Sequence, residues 1–130
     1  MSRKAFQLIA LAASLSFTVN ATADPASIEH LDSYRQQGVV QVDPERGMQL
    51  WYAITGERSC TSCHGERPVD AGKHVKTGKA IEPMAPSVNP ARYRSARKIE
   101  KWFLRNCKWT LGRECSTQEK ADILTWLASQ

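Results

Sequence analysis

The 130 residues carry 18 lysines and arginines against 13 aspartates and glutamates, a formal charge of +5, together with four cysteines and four tryptophans. A chain of this length supports one small domain with a modest core. So slight a basic excess argues against a nucleic-acid binder, which must neutralise many phosphates.

The first residues read as an export leader. Arg3 and Lys4 give a positive start, Ala5 to Phe17 form an apolar stretch, and Ala21-Thr22-Ala23 fits the small-x-small cleavage pattern. Residues 1–23 are expected to be removed as a signal peptide, leaving residues 24–130 as one domain with a formal charge of +3 once Arg3 and Lys4 are gone. A signal anchor is the competing reading, but the run is too short to span a bilayer and no second hydrophobic segment follows. The expected compartment is the periplasm, where cysteine pairs oxidise and persist.

"DPASIEHLDSYRQQG" predicts a first helix, with Ser27 as candidate N-cap, Ile28 and Leu31 on one face and Gly38 as the stop. "DPERGMQLWYAITG" predicts a second, better marked one. Asp43 can cap it, Pro44 suits the first helical position, Glu45 lies in the first turn and Gly56 can end it. Leu50, Trp51 and Ile54 supply an apolar stripe at helical spacing.

"CTSCH", Cys60 to His64, follows directly. Two thiols three positions apart can add to the two vinyl groups along one haem edge, and the adjacent histidine then faces the iron. Cys60 and Cys63 are read as the covalent attachments of a single haem c, and His64 as its proximal ligand. The competing readings are weaker. A redox dithiol expects a βαβ setting that is missing, and a zinc site would need Cys107 and Cys115, whose spacing is unlike the usual close pairs. Haem also gives a small helical domain a large apolar body to pack around.

Gly65 to Tyr93 holds four prolines and three glycines without sustained periodicity, and reads as an irregular wrap with no Asn-Gly hairpin signature. From Ser95 a helical pattern returns: Ile99, Trp102, Phe103 and Asn106 share one face. Asn106 is placed at the end of that helix, where its amide either caps the backbone or points inward to meet the iron or an iron-bound ligand. Trp102 and Trp109 are assigned to core or haem packing. Ser116 with Glu119 forms a capping box for a last helix whose apolar face is Ala121, Ile123, Leu124, Trp126 and Leu127. With few strand-like segments, the fold class is all-α, three to five helices.

The residue opposite His64 decides the function. Met84 in "IEPMAPS" offers the thioether usual in electron-carrying cytochromes, or simply packs the crevice. His30 and His74 read as exposed, and Asn89 as turn initiation. Lys73, Lys76, Lys79, Arg92, Arg94, Arg97 and Lys98 either ring a haem edge and steer an acidic redox partner or form a solvated surface.

Gly47 and Trp51 before "CTSCH", with Ile123 and Trp126 in "DILTWL", resemble the crossing of first and last helices in class I cytochromes c. More closely, "TGKAIEPMAPSVNPARY", "KIEKWFLRNC" and "GRECSTQEKADILTWLA" resemble the sphaeroides haem protein group of that class. The resemblance implies a class I cytochrome c fold wrapped around one covalent haem. It implies Asn106 as a distal ligand that leaves on reduction, so that oxygen, nitric oxide or carbon monoxide can bind, and a disulfide between Cys107 and Cys115. It also implies a dihaem cytochrome c as electron donor, itself fed by a membrane cytochrome b. In most class I cytochromes the ligand methionine follows the penultimate helix, whereas Met84 precedes it. Two alternatives stay open: a plain His64/Met84 electron carrier, and a small haem peroxidase-like enzyme, which would need a distal base.

Overall fold

The computed structural model describes residues 25–130. The expected signal peptide, residues 1–23, lies outside them. Five helices and one short hairpin follow in chain order: α1 (Pro25–Gln36), α2 (Pro44–Tyr52), α3 (Thr61–His64), β1 (Gly72–Lys73), β2 (Ala80–Ile81), α4 (Ala96–Leu111) and α5 (Thr117–Ala128). The all-α expectation holds.

Local chemistry sets most helix starts. The Asp43 carboxylate accepts from the backbone N–H groups of Glu45 and Arg46, with Pro44 in the first turn. Ser95 caps α4 by accepting from the Lys98 N–H. At α5, Ser116 and Glu119 exchange bonds as a complete capping box. α1 departs from expectation by starting at Pro25, which puts Ser27 inside the helix and not at its cap. Its end is as read: Gly38 takes φ +102° while Val39 turns back onto the Tyr34 carbonyl.

The core forms where α2 crosses α5, with α1 laid against α5. A Cβ at Gly47 would collide with the backbone carbonyl of Asp122, so only glycine permits this approach. Trp51, Ile123, Leu124, Trp126 and Leu127 are buried around it, joined by Leu31 and Tyr34 of α1. Each such large side chain removed from water contributes about 1.5–3 kcal/mol. The Trp51 and Trp126 rings meet at 5.4 Å between centroids. Asp122, only 3% exposed, accepts from the Asp43 N–H at 2.7 Å, Arg46 Nε at 2.9 Å and Gln118 Nε2 at 2.8 Å, a buried carboxylate satisfied by both helices.

α2 stops at Tyr52, four residues before Gly56, because Ala53 is extended and a tight Thr55–Arg58 bridge follows. Ile54 therefore falls off the helix and is 76% exposed, no part of the apolar stripe. The wrap after "CTSCH" contains an antiparallel hairpin in register Gly72↔Ile81 and Lys73↔Ala80. Its root is pressed on the haem-motif segment, since a Cβ at Gly72 would strike the Cys63 carbonyl. Its turn is closed by Gly78 N–H to the His74 carbonyl, and His74 Nδ1 accepts from the Lys76 and Thr77 N–H groups.

α4 runs five residues beyond Asn106 and ends at Gly112 in the left-handed conformation. Asn106 thus sits inside the helix and caps nothing. α4 approaches no other helix as closely as α2 approaches α5 or α1 approaches α5. Its first half is anchored by buried Ile99 and by Glu100. Glu100 accepts from His30 Nε2 at 2.9 Å, Tyr34 Oη at 2.6 Å and Lys120 Nζ at 2.7 Å, tying α4 to α1 and α5. His30, 5% exposed, is therefore a buried structural residue and not the exposed one expected; His74 is exposed as read. Among the described residues no helix is long and apolar enough to cross a membrane.

Candidate haem site

Cys60 precedes the single turn of α3, and Cys63 and His64 lie within it. Ser59 holds the entry, its N–H donating to Ser62 Oγ at 3.0 Å and its hydroxyl lying 2.6 Å from Thr61 Oγ1. Both haem-motif cysteines are free and half-buried. Burial pushes the Cys60 thiol up to about 11. Burial, and then the positive charge of Arg92, pull the His64 imidazole down to about 4. It is neutral near pH 7, the form that ligates a metal.

His64 stacks obliquely on Trp51, 5.3 Å between ring centroids at 36°. Its Nδ1 is sealed in the protein without a hydrogen-bond partner among the described residues, which leaves Nε2 as the nitrogen available to an iron. Trp51 Nε1 is sealed and unpartnered in the same way.

Met84 lies in the strap ahead of α4. Its N–H donates to the Pro68 carbonyl at 2.8 Å and its own carbonyl accepts from Tyr93 Oη at 2.6 Å. The sulfur accepts from Arg92 Nη2 at 2.8 Å. Burial lowers the Arg92 pKa, although Tyr93 and Glu82 oppose it, and no carboxylate among the described residues forms an ion pair with this guanidinium. Asn89 is structural: its amide donates to the Pro83 carbonyl at 3.1 Å.

Asn106 is half-buried on α4, and its side-chain amide has no hydrogen-bond partner among the described residues. One residue further on, Cys107 is bonded to Cys115, with 5.6 Å between their Cα atoms. That bridge removes both from any zinc set with Cys60 and Cys63, and among the described residues no three His, Cys, Asp or Glu side chains gather as a metal site. Trp102 is 51% exposed beside Lys101 and Arg105, so it is not a core residue. Trp109 is half-buried beneath Arg58, whose carbon Cζ stands 4.8 Å from the ring centre. Arg58 escaped the sequence reading, because nothing local connects it to a residue 51 positions on.

These residues fit a haem c. Two free thiols sit three positions apart, a neutral imidazole has one open nitrogen, and a half-buried guanidinium without a carboxylate partner is suited to a group that brings two carboxylates of its own. Helix α4 meets the core through its first half, at Ile99 and Glu100, while Asn106 lies in its second half.

The family model DUF1924, a domain of unknown function, matches residues 37–127. Among curated proteins, the cytochrome c-type protein SHP of Cereibacter sphaeroides is 40% identical over 112 residues, covering 82% of this chain and 86% of that one. Cytochrome c'' of Methylophilus methylotrophus is 40% identical over 74 residues, 57% of this chain and 51% of that one. Among solved structures, oxidised SHP, described as an oxygen-binding cytochrome c, superposes with a TM-score of 0.75 at 40% identity, over 80% of this chain and 96% of that one. Oxidised cytochrome c'' gives 0.67 at 28% identity, over 78% of this chain and 92% of that one.

Proposed function

The chain belongs to the family of c-type cytochromes that includes SHP, and from that premise we propose that it receives an electron and then binds a diatomic gas where the Asn106 amide gives way. It is a monohaem cytochrome with one covalently bound haem c. Such a group would supply an iron that changes charge by one electron. Cys60 and Cys63 fix its edge, neutral His64 Nε2 holds the proximal side, and Arg92 offers a positive partner to its carboxylates.

The observation that carries the gas-binding reading is Asn106, a half-buried amide with no hydrogen-bond partner among the described residues, in the half of α4 beyond its anchors to α1 and α5. An amide oxygen is a hard donor that prefers ferric to ferrous iron, whereas a thioether has the opposite preference. Asn106 would hold the ferric form, and reduction would weaken its hold and leave room for a diatomic ligand. Oxygen, nitric oxide and carbon monoxide are the ligands of suitable size and chemistry. Oxygen binding is what the relative SHP is described as doing.

The reading with Met84 as ligand has less support, since its sulfur already accepts from Arg92. A peroxidase-like reading needs a distal base. His30 is committed to Glu100 and Tyr34, and His74 to its own turn.

Export to the periplasm is part of the proposal and rests on the leader-like first residues and on c-type relatives. So is reduction by a dihaem cytochrome c, with a membrane cytochrome b behind it. The exposed hairpin gives such a donor a place to dock: Lys73, Lys76 and Lys79 form no ion pair among the described residues.

The deciding experiment is the optical spectrum of the purified protein in both oxidation states, with and without carbon monoxide. A reduced form that shifts with carbon monoxide, and an oxidised spectrum that changes in Asn106→Ala but not in Met84→Ala, is the expected result. A near-infrared methionine-to-iron band with no carbon monoxide shift would defeat the proposal.

A further inference from the structure

Arg58 lies two residues ahead of Cys60 and reaches over to the far end of α4. Its Nη1 donates to the Trp109 carbonyl at 3.0 Å, and the same guanidinium lies over the Trp109 indole, 4.8 Å from the ring centre. Trp109 is among the last four residues of α4, whose carbonyls have no partner within the helix. They form the negative end of the helix dipole, where a cation is favoured. The planar guanidinium meets both demands at once, with a hydrogen bond to the carbonyl and a face on the ring.

Around this contact the two segments are parted by a cleft of about 390 Å³, lined by Thr55 to Arg58 on one side and Trp109 to Gly112 on the other. Among the described residues the Arg58 bond is the one hydrogen bond that crosses it. The two halves of α4 are thus held differently. The first is fixed to α1 and α5 through Ile99 and Glu100. The second is tied to the loop ahead of α5 by Cys107–Cys115, and to the haem-attachment segment by Arg58. Asn106 lies between them, three residues before Trp109.

We propose that Arg58 is a positioning residue: it latches the segment bearing Cys60 to the last turn of α4 and so holds the Asn106 amide at the distal side. This rests on the reading of Asn106 as the distal ligand. With the latch intact, the end of α4 and the proximal attachment move as one body, and the amide leaves slowly. With it broken, the last turn frays and the amide leaves sooner.

The test uses the full holoprotein in the ferric state and imidazole as an external ligand. At saturating imidazole the binding rate levels off at the rate at which the internal ligand departs. Arg58→Ala should raise that plateau about three- to tenfold, the scale of one exposed cation–aromatic contact plus a helix-end charge. Arg58→Lys should recover part of it. Hydrogen exchange of the backbone amides from Lys108 to Leu111 should quicken in step, a readout independent of the iron. In the Asn106→Ala background, Arg58→Ala should change nothing further in imidazole binding. An unchanged plateau alongside faster exchange would overturn the latch and leave Arg58 a helix cap. The same rise with Asn106 absent would overturn it too, because Arg58 would then act by another route. If Asn106→Ala itself left the ferric spectrum and the plateau as in the parent, the ligand reading would fail first, and the latch with it.

Discussion

Gly47 is a position at which a single methyl group has a large structural effect. A Cβ there meets backbone atoms of Asp122 and Ile123, neither of which can rotate away, so α2 and α5 must separate. Gly47→Ala is expected to cost about 3 kcal/mol, the upper part of the range for overpacking, and to lower the melting midpoint by roughly 10–20 °C. Glu119 matters through charge. Hydrogen bonds from Arg113 above all, at 2.7 and 2.8 Å, hold its carboxyl down at about 2, below an ordinary value of 4.5. Its folded-state pKa is depressed, so its contribution to stability is fully present above pH 4.5 and is lost as the pH falls toward 2. Acid unfolding followed by circular dichroism should therefore show a shallower loss of stability across that window in Glu119→Gln. An unchanged slope would show that the Arg113 pair contributes nothing. Glu100 is held below its usual value as well: burial pulls it up, but the hydrogen bonds from Lys120, Tyr34 and His30 outweigh that.

Among the elements, α4 combines a firmly anchored start with a cross-linked end. Reducing the Cys107–Cys115 bridge, or replacing both cysteines by serine, should cost about 2.5 kcal/mol by loop-closure entropy, read from denaturant unfolding of the holoprotein. The starts of α2, α4 and α5 were legible in the sequence because a cap is a local bargain between a side chain and the next three N–H groups. The glycine approach at Gly47 was legible through the resemblance that paired Gly47 and Trp51 with Ile123 and Trp126. Other features depend on chain brought in from afar. His30 is buried beside Glu100, 70 residues on, and Arg58 is engaged by a helix end 51 residues on; no window of sequence holds both members of either pair. The hairpin lacked an Asn-Gly signal because its turn is built by the His74 side chain and Gly78. Asn106 looked terminal because the apolar stripe was followed no further than it; the helix goes on to Leu111, and left-handed Gly112 ends it.

At the scale of the whole molecule, the formal charge of +5 is small, but its distribution is uneven. Between Ala71 and Ile81 the hairpin carries Lys73, Lys76 and Lys79 and no acid, beside the segment that holds the haem-motif cysteines. An acidic electron donor should be steered there, with an association rate that falls as salt rises. Replacing the three lysines by glutamine should lower the rate of reduction by an acidic protein such as flavodoxin hydroquinone by about tenfold at low ionic strength, and flatten its salt dependence. Reduction by dithionite should hardly change. Equal rates with flavodoxin would mean that the hairpin is only a solvated surface and that electrons enter elsewhere.

The crossing of α2 and α5 has a consequence for how this protein can be altered. Because the two helices meet through Gly47, Asp122 and the paired tryptophans, the chain from Ala53 to Ser116 is strung between two ends that are already mated. The attachment turn, the hairpin and α4 all belong to that insert. The frame resembles a clamp whose jaws carry none of Cys60, Cys63, His64 or Asn106, though Trp51 rests against His64. Replacing the second half of α4, beyond the anchors Ile99 and Glu100, by the matching segment of a relative should leave the frame closed, so that the residues around Asn106 can be changed without rebuilding the fold beneath them.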